Sequence, residues 1–278
     1  MLSIEQDLQV VNIEVSSKCN LKCMYCSRGK FVNERNDGFM DMQMYENILE
    51  LLPKDITLAP YLSGEPLLAS NLSYYLGYAK GQGFRETRIH TNATLLTMDR
   101  TNELMICGLD SIVFSIDGKT PEEYERLRNY PFNKVKLNIE NFLKINQGQI
   151  KAGVQCLTPA GEDKVLNSGL KDLEDQFDFL ILEHPHSWVY GSKIPESEFL
   201  GITELPCFFL NRYLTISWDG DYLLCCCCLN KEKVLGNAKI ISPSHIFEYV
   251  VEEIRQQQLN GEAIDPCSNC ERYGKGRI

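Results

Sequence analysis

The fold class predicted is α/β: an open, partial (β/α)6 barrel followed by a small cysteine-rich C-terminal domain. Three observations predict it. Six apolar, strand-like runs alternate with helix-like segments between Val10 and Glu183, the pattern of repeated βα units on a parallel sheet. Beyond Glu183 that rhythm stops, and from Cys207 the chain turns cysteine-rich with only short strand signals. Six units are too few to close an eight-stranded barrel, so the sheet is expected to stay open. Its strand-end loops then face one mouth, where such folds place their chemistry. The expected domains are 1–185 for the barrel, 186–206 for a bridge and 207–278 for the second unit.

Val10–Val15 is the first strand, and Met40–Leu52 has helical spacing (Met44, Ile48, Leu51) that stops at Pro53. Asp55–Leu62 is the second strand, followed by a helix over about Asn71–Lys80 that closes at Gly81. Thr87–Thr91 is the third strand, and the helix of about Met98–Cys107 ends at Gly108, a C′ glycine. After the fourth strand, Ser111–Ile116, comes a helix with Pro121 in its first turn and Glu122-Glu123 complementing the helix dipole. A helix of about Lys134–Asn146, the strand Ile150–Leu157, a helix over Lys164–Gln176 and the strand Phe177–Leu182 complete the barrel. In the second unit, Tyr213–Trp218, an Asp219-Gly220 turn and Tyr222–Cys228 read as a hairpin, with a helix of about Ile246–Gln257 after it.

The 278 residues include 44% hydrophobic and 24% charged residues, ordinary for a soluble globular chain. A net charge of −10 argues against a nucleic-acid or anionic-membrane surface, which would show a basic stripe. No run of about 18 apolar residues suits a membrane span. The start Met-Leu-Ser-Ile-Glu-Gln-Asp lacks the features of a signal peptide, so a cytoplasmic location is expected. Twelve cysteines in that setting read as metal ligands or free thiols, not disulfides.

Three of those cysteines form Cys19-Asn-Leu-Lys-Cys23-Met-Tyr-Cys26, on a loop after the first strand with no histidine nearby. Cys-only ligation points to zinc or an iron–sulfur cluster. Structural zinc takes four protein ligands, and this local set stops at three. A [4Fe–4S] cubane held by three cysteines leaves one iron open to another ligand.

The Cys-x3-Cys-x2-Cys spacing, with Tyr25 before the last cysteine, resembles the radical S-adenosylmethionine (SAM) enzymes. In that family SAM chelates the open iron, and the reduced cluster cleaves it to methionine and a 5′-deoxyadenosyl radical that removes hydrogen from substrate. Ser63-Gly64-Glu65-Pro66 stands where the family carries Gly-Gly-Glu-Pro, with Ser63 replacing the first glycine, and implies contacts to the amino group of SAM. Thr91-Asn92-Ala93 stands where the family often has Thr-Asn-Gly. Ser115-Ile-Asp117-Gly118 and Arg128 match positions that similar enzymes use on the ribose and carboxylate of SAM, with Arg126 the competing arginine. The adenine contact is placed loosely near Tyr25 and the end of the fifth strand. The resemblance also implies a flavodoxin- or ferredoxin-type electron donor.

Cys207-x12-Gly220-x4-Cys225 followed by Cys267-x2-Cys270 resembles the auxiliary-cluster region of the SPASM and twitch subfamily, and little follows Cys270. This implies one auxiliary [4Fe–4S] cluster on Cys207, Cys225, Cys267 and Cys270, with zinc on the same thiols as the rival reading. Strand alternation is expected to put Cys225 and Cys227 on one side, with Cys225 the ligand by spacing and Cys227 the next candidate, leaving Cys226 and Cys228 to pack as small apolar residues. Cys107 is expected in the core. Cys156, near the mouth end of the fifth strand, is a candidate hydrogen-atom donor or a core residue.

The arrangement resembles aminocyclitol dehydrogenases. It implies hydrogen abstraction from a small sugar- or aminocyclitol-like metabolite, with oxidation of a secondary alcohol and the auxiliary cluster as electron acceptor. The alternative is modification of a ribosomally made peptide by epimerisation or cross-linking, which the short segment before the first strand makes less favoured. Glu183, His184, His186, Trp188 and Tyr190 lie where the mouth meets the second unit and are the substrate-contact candidates.

Overall fold

Six strands pair side by side in chain order, all parallel: β1 (Val10–Ile13), β2 (Thr57–Ala59), β3 (Glu86–Thr91), β4 (Ser111–Ser115), β5 (Lys151–Leu157) and β6 (Phe179–Glu183). The computed structural model describes residues 1–24, 26, 28, 36–158, 162–183, 206–262 and 264–270. Helices Met42–Glu50, Leu72–Gly81, Met98–Ile106, Pro121–Arg128 and Phe132–Asn146 lie between successive strands. Their starts follow from capping. Asp41, Thr97 and Thr120 each accept a hydrogen bond from the N–H three residues on, satisfying a donor that the helix itself leaves orphaned. Gly108 has φ +78°, as the C′ position after Met98–Ile106 requires.

The sheet does not close on β6. Strand β7 (Tyr213–Ile216) adds to the other edge of β1, again in parallel, and β8 (Asp221–Leu223) and β9 (Val234–Asn237) continue it antiparallel. The order is β6-β5-β4-β3-β2-β1-β7-β8-β9. The cysteine-rich segment therefore extends the barrel's own sheet.

Alternation sorts the strand residues onto two faces. Val11, Ile13, Leu58, Ile89, Ile112, Phe114, Val154 and Ile216 join one core with the helix residues Tyr45, Leu76, Val135 and Ile139. Burying each such side chain stabilises the fold by about 1.5–3 kcal/mol. On the concave face stand polar residues: Asn12, Glu86, Arg88, His90, Gln155 and Thr215 among them.

Two expected elements differ. The segment expected as a helix over Lys164–Gln176 winds as a 3₁₀ stretch, Ser168–Gln176, started by the Asn167 side chain accepting from the Gly169 N–H at 3.0 Å. Gly169 lowers helix propensity, and the site gives no room for a side chain, because a Cβ there would come within 2.5 Å of the Phe132 ring. The strand expected over Tyr222–Cys228 ends at Leu223, where pairing with β9 is irregular. Residues Cys225–Cys228 instead close a turn, with the Cys228 N–H donating to the Cys225 carbonyl at 3.1 Å. The alternation expected to separate Cys225 and Cys227 from Cys226 and Cys228 does not apply to a turn.

Candidate active site

The loop carrying Cys19, Cys23 and Cys26 leaves the end of β1 and is fixed by its neighbours. Gly64 lies flat against it. A Cβ at Gly64 would sit 2.2 Å from the Ser16 carbonyl oxygen and 2.6 Å from that of Lys18, so only glycine lets the loop after β2 approach so closely. The Glu65 N–H donates to the Lys18 carbonyl at 2.8 Å. The buried Glu65 carboxylate accepts from Thr91 Oγ1 (2.7 Å), the Asn92 N–H (2.8 Å) and the Leu67 N–H (3.1 Å). Burial pushes the Glu65 pKa up against these bonds. Glu65 thus ties the loops after β1, β2 and β3 together, and Pro66 opens the short 3₁₀ turn that follows it.

Asn92 reaches the cluster loop directly. Its Nδ2 donates to Asn20 Oδ1 at 3.0 Å and lies 4.0 Å from Cys19 Sγ, while Asn20 Nδ2 donates to Thr94 Oγ1 at 2.7 Å. Ala93, where the resemblance expects glycine, is buried at φ +57°. On the other side Arg128 Nη1 lies 3.8 Å from Cys23 Sγ, and its Nε pairs with the buried Asp117 carboxylate at 2.7 Å. Burial works against the Arg128 charge, and Asp117 and Cys23 outweigh it, holding the guanidinium ionised. Arg126 is exposed on the same helix, so the structure brings Arg128, not Arg126, to the cysteines. Ser115 ends β4, two residues before Asp117, and is half-buried.

Other candidates are placed differently. Cys156 is fully buried on the helix-facing side of β5, in the core, and burial pushes its thiol up to about 12. It faces away from the concave side, which favours packing over hydrogen donation. Glu183 ends β6, where its carbonyl accepts from the Thr158 N–H at 3.0 Å. Tyr25, His184, His186, Trp188 and Tyr190 lie outside the described residues.

The C-terminal thiols come together from turns. Cys225 Sγ lies 3.8 Å from Cys228 Sγ, and Cys267 feels the charges of Cys270, Cys207 and Cys228. Gln258, buried, accepts from the Cys207 N–H at 2.9 Å and directs Nε2 at Cys267 Sγ at 3.9 Å. Cys228 is thus a fifth thiol at the site expected for Cys207, Cys225, Cys267 and Cys270. Among the described residues no three Cys, His, Asp or Glu side chains close around a point as for a single metal ion. A cubane holds its thiolates farther apart than one ion does.

A buried carboxylate that spacing did not single out joins the two regions. Glu14, fully buried after β1, accepts from the Ser63 N–H (3.3 Å), from the Ser63 hydroxyl and from the Trp218 N–H (3.2 Å). Trp218 in turn donates Nε1–H to the Asn36 carbonyl at 3.1 Å, and its ring covers Gly38, where a Cβ would lie 2.3 Å away. Serine in place of the family's first glycine supplies a donor to this carboxylate.

The residues present fit an iron–sulfur cluster at the first site. Three thiols share one loop, the backbone around them is held at glycine distance, and Arg128 and Asn92 stand beside the sulfurs. Burial pushes Cys19 up to about 11 and raises Cys23 despite Arg128. Coordination by a metal offsets that burial, because it deprotonates a thiol outright.

Comparison with known proteins agrees. The Radical SAM superfamily pattern matches residues 13–155 and that of an iron–sulfur cluster-binding domain, SPASM, matches 207–271. The chain is 32% identical over 176 residues to the "Probable GTP 3′,8-cyclase" of Methanothermobacter marburgensis, covering 61% of this chain and 52% of that protein. It is 27% identical over 281 residues to the "Tungsten-containing aldehyde ferredoxin oxidoreductase cofactor-modifying protein" of Pyrococcus furiosus, covering 84% of this chain and 76% of that one. It spans only about half the length of the first relative. Among solved structures, BtrN in complex with AdoMet and 2-DOIA aligns with a TM-score of 0.63 at 18% identity, over 91% of this chain and 87% of that one. Native anSMEcpe with bound AdoMet aligns with a TM-score of 0.66 at 17% identity, over 94% and 86%. These structural likenesses show the fold.

Proposed function

Since the chain belongs to the radical SAM superfamily and carries a SPASM iron–sulfur cluster-binding domain, we propose that it oxidises a secondary alcohol of a small sugar- or aminocyclitol-like metabolite. Bound at the first site, a [4Fe–4S] cluster with SAM would supply the radical chemistry for hydrogen removal; an auxiliary cluster would take up the electron left on the substrate, and the hydroxyl proton would pass to a base. Cys19, Cys23 and Cys26 hold the first cluster. Gly64 and Ser63 form the close backbone wall beside it, and Arg128, kept ionised and aimed by Asp117, suits the carboxylate of SAM through its planar fork. Asn92 and Ser115 stand at neighbouring strand ends for the remaining SAM polar groups. Cys207, Cys225, Cys267 and Cys270 hold the auxiliary cluster, and Gln258 orients two of them.

The observation that carries this reading is the second thiol group, held at turns and helix starts beside the strands that continue the barrel's sheet beyond β1. A cluster whose irons all hold protein thiolates has no site for substrate, so accepting an electron is its economical role. Hydrogen removal next to an oxygen leaves a reducing carbon radical, which needs such an acceptor. A peptide substrate is the second reading, because solved neighbours of this fold include anSMEcpe with the Cp18Cys peptide and SuiB bound to precursor peptide SuiA.

Anaerobic reconstitution tests the proposal. About eight irons with matching sulfide per chain, release of 5′-deoxyadenosine from SAM under reductant, and deuterium transfer from a labelled aminocyclitol into that product are expected. Deuterium arriving only from a labelled peptide, or none from either with SAM still cleaved, removes the dehydrogenase reading.

A further inference from the structure

Three successive glutamines, Gln256, Gln257 and Gln258, lie on the helix Glu252–Leu259, and of these the last alone is buried, at 1% exposure. Gln258 shares the inward face of the helix with Ile254, one turn earlier. A buried amide is costly unless its atoms are bonded. Its Oε1 accepts from the Cys207 N–H at 2.9 Å, and its Nε2 points at Cys267 Sγ at 3.9 Å. A backbone N–H can only donate, so the amide oxygen must face Cys207 and the amide nitrogen must face the sulfur.

The backbone on both sides of this contact is held without the Gln258 side chain. The Gln258 carbonyl accepts from the Gly261 N–H at 3.1 Å, in the turn that ends the helix. The Cys267 carbonyl accepts from the Cys270 N–H, also at 3.1 Å, closing the 3₁₀ turn Cys267–Asn269. Burial and the charges of Cys270, Cys207 and Cys228 all disfavour the Cys267 thiolate, and the Gln258 amide favours it. Gln258 thus brings a donor to that sulfur and no charge of its own.

Hydrogen bonds to the sulfurs are one of the levers that set an iron–sulfur potential. One-electron reduction adds a negative charge that the thiolates share, and an N–H aimed at one of them stabilises the reduced state more than the oxidised one. We propose that Gln258 is a positioning residue that raises the reduction potential of the auxiliary cluster, its Nε2–H donating to the Cys267 thiolate while its Oε1 holds Cys207. The inference rests on the reading that Cys207, Cys225, Cys267 and Cys270 hold that cluster. It deepens that reading, because the amide makes the second site a better electron acceptor.

A redox titration of the reconstituted full chain, followed by electron paramagnetic resonance, tests this without turnover. Added SAM changes the signal of the first cluster, and the signal that SAM leaves alone is the auxiliary one. Gln258→Met keeps the length of the side chain without a donor, and is expected to hold the same iron and sulfide as wild type. Its auxiliary signal should titrate at a lower potential, by a tenfold or larger shift of the reduction equilibrium, about 59 mV per tenfold for one electron. Gln258→Glu keeps an oxygen for the Cys207 N–H and replaces the donor by a charge, so a larger drop is expected. The SAM-responsive signal should move in neither variant. An unchanged potential in Gln258→Met overturns the proposal, whatever Gln258→Glu does, because charge alone then explains the second variant. Loss of the auxiliary irons from Gln258→Met also overturns it, by making the amide a support for Cys207 alone. Metal counting on the wild type separates the two failures. About four irons, with zinc in place of the rest, removes the auxiliary-cluster reading and the proposal together, whereas about eight irons with no shift removes the proposal alone.

Discussion

The two thiol-bearing regions are built on different principles. Around Cys19, Cys23 and Cys26 most supports come from the ends of parallel strands, Gly64 and Glu65 after β2, Asn92 after β3 and Asp117 after β4, with Arg128 reaching Cys23 from the following helix. Around Cys207, Cys225, Cys267 and Cys270 the thiols sit at turns and helix starts, and the main polar support is one side chain, Gln258. A strand-end frame fixes its ligands through backbone bonds. A frame of turns leaves more than one thiol within reach of the same place, and the Cys225–Cys228 pair is the instance.

The first region should therefore fail outright when a ligand is lost. Cys23→Ser is expected to bring SAM cleavage to background, with about four of about eight irons gone, read by iron counting and by chromatography of 5′-deoxyadenosine. In the second region, Cys225→Ala is expected to remove the other four while SAM cleavage persists, and Cys228→Ala to keep them. Retention of iron in Cys225→Ala with loss in Cys228→Ala would move the ligand by one turn and show that turns, not spacing, choose it. Arg128→Lys keeps the charge but loses the fork that Asp117 holds. It should weaken SAM binding about 10–100-fold, read as a rise in the KM for SAM.

That contrast also explains what the amino-acid sequence discloses. The cluster loop is legible because its three ligands lie within eight residues and need no knowledge of the fold. Arg128 is legible through its place after β4, and the six βα units through their periodicity. Glu14 is not, because Ser63 and Trp218 lie 49 and 204 residues away, and nothing local marks a buried carboxylate. Cys228 is missed because alternation presumes a strand, and strand signals in Tyr222–Cys228 cannot show that β9 offers no partner beyond Leu223. His90 reads as one polar residue inside an apolar-polar strand until the register sets it against Tyr61.

Glu14 tests whether the two frames are coupled. Glu14→Leu removes the acceptor shared by the part-buried Ser63 and Trp218 N–H groups, and a loss of about 1–3 kcal/mol in all is expected, read by denaturant unfolding. If the link matters to the first site, SAM binding weakens as well. Unchanged stability would show that each region stands without the other.

His90 gives a pH signature to the concave face. Its folded-state pKa of about 3 lies below its ordinary value of 6.5, so between those values the unfolded chain binds a proton that the folded chain refuses. Stability from this group is present above pH 6.5 and is lost as pH falls toward 3. His90→Gln should flatten the acid limb of a stability–pH curve across that window, and an unchanged slope would mean that other groups set it.

The smallest effect concerns backbone strain in the strand-end frame of the first region. Ala93, buried at φ +57° between Asn92 and Thr94, adopts a conformation that costs a residue with a Cβ about 1–2 kcal/mol. Ala93→Gly relieves that cost but gives the unfolded chain more freedom, worth about 0.4–1 kcal/mol in the other direction. A net gain of up to about 1 kcal/mol is expected by denaturant unfolding. A loss would mean that the alanine methyl, packed in the core beside the Asn138 bond to the Ala93 carbonyl, contributes more than the strain removes, and that the loop after β3 is held by packing as much as by Glu65.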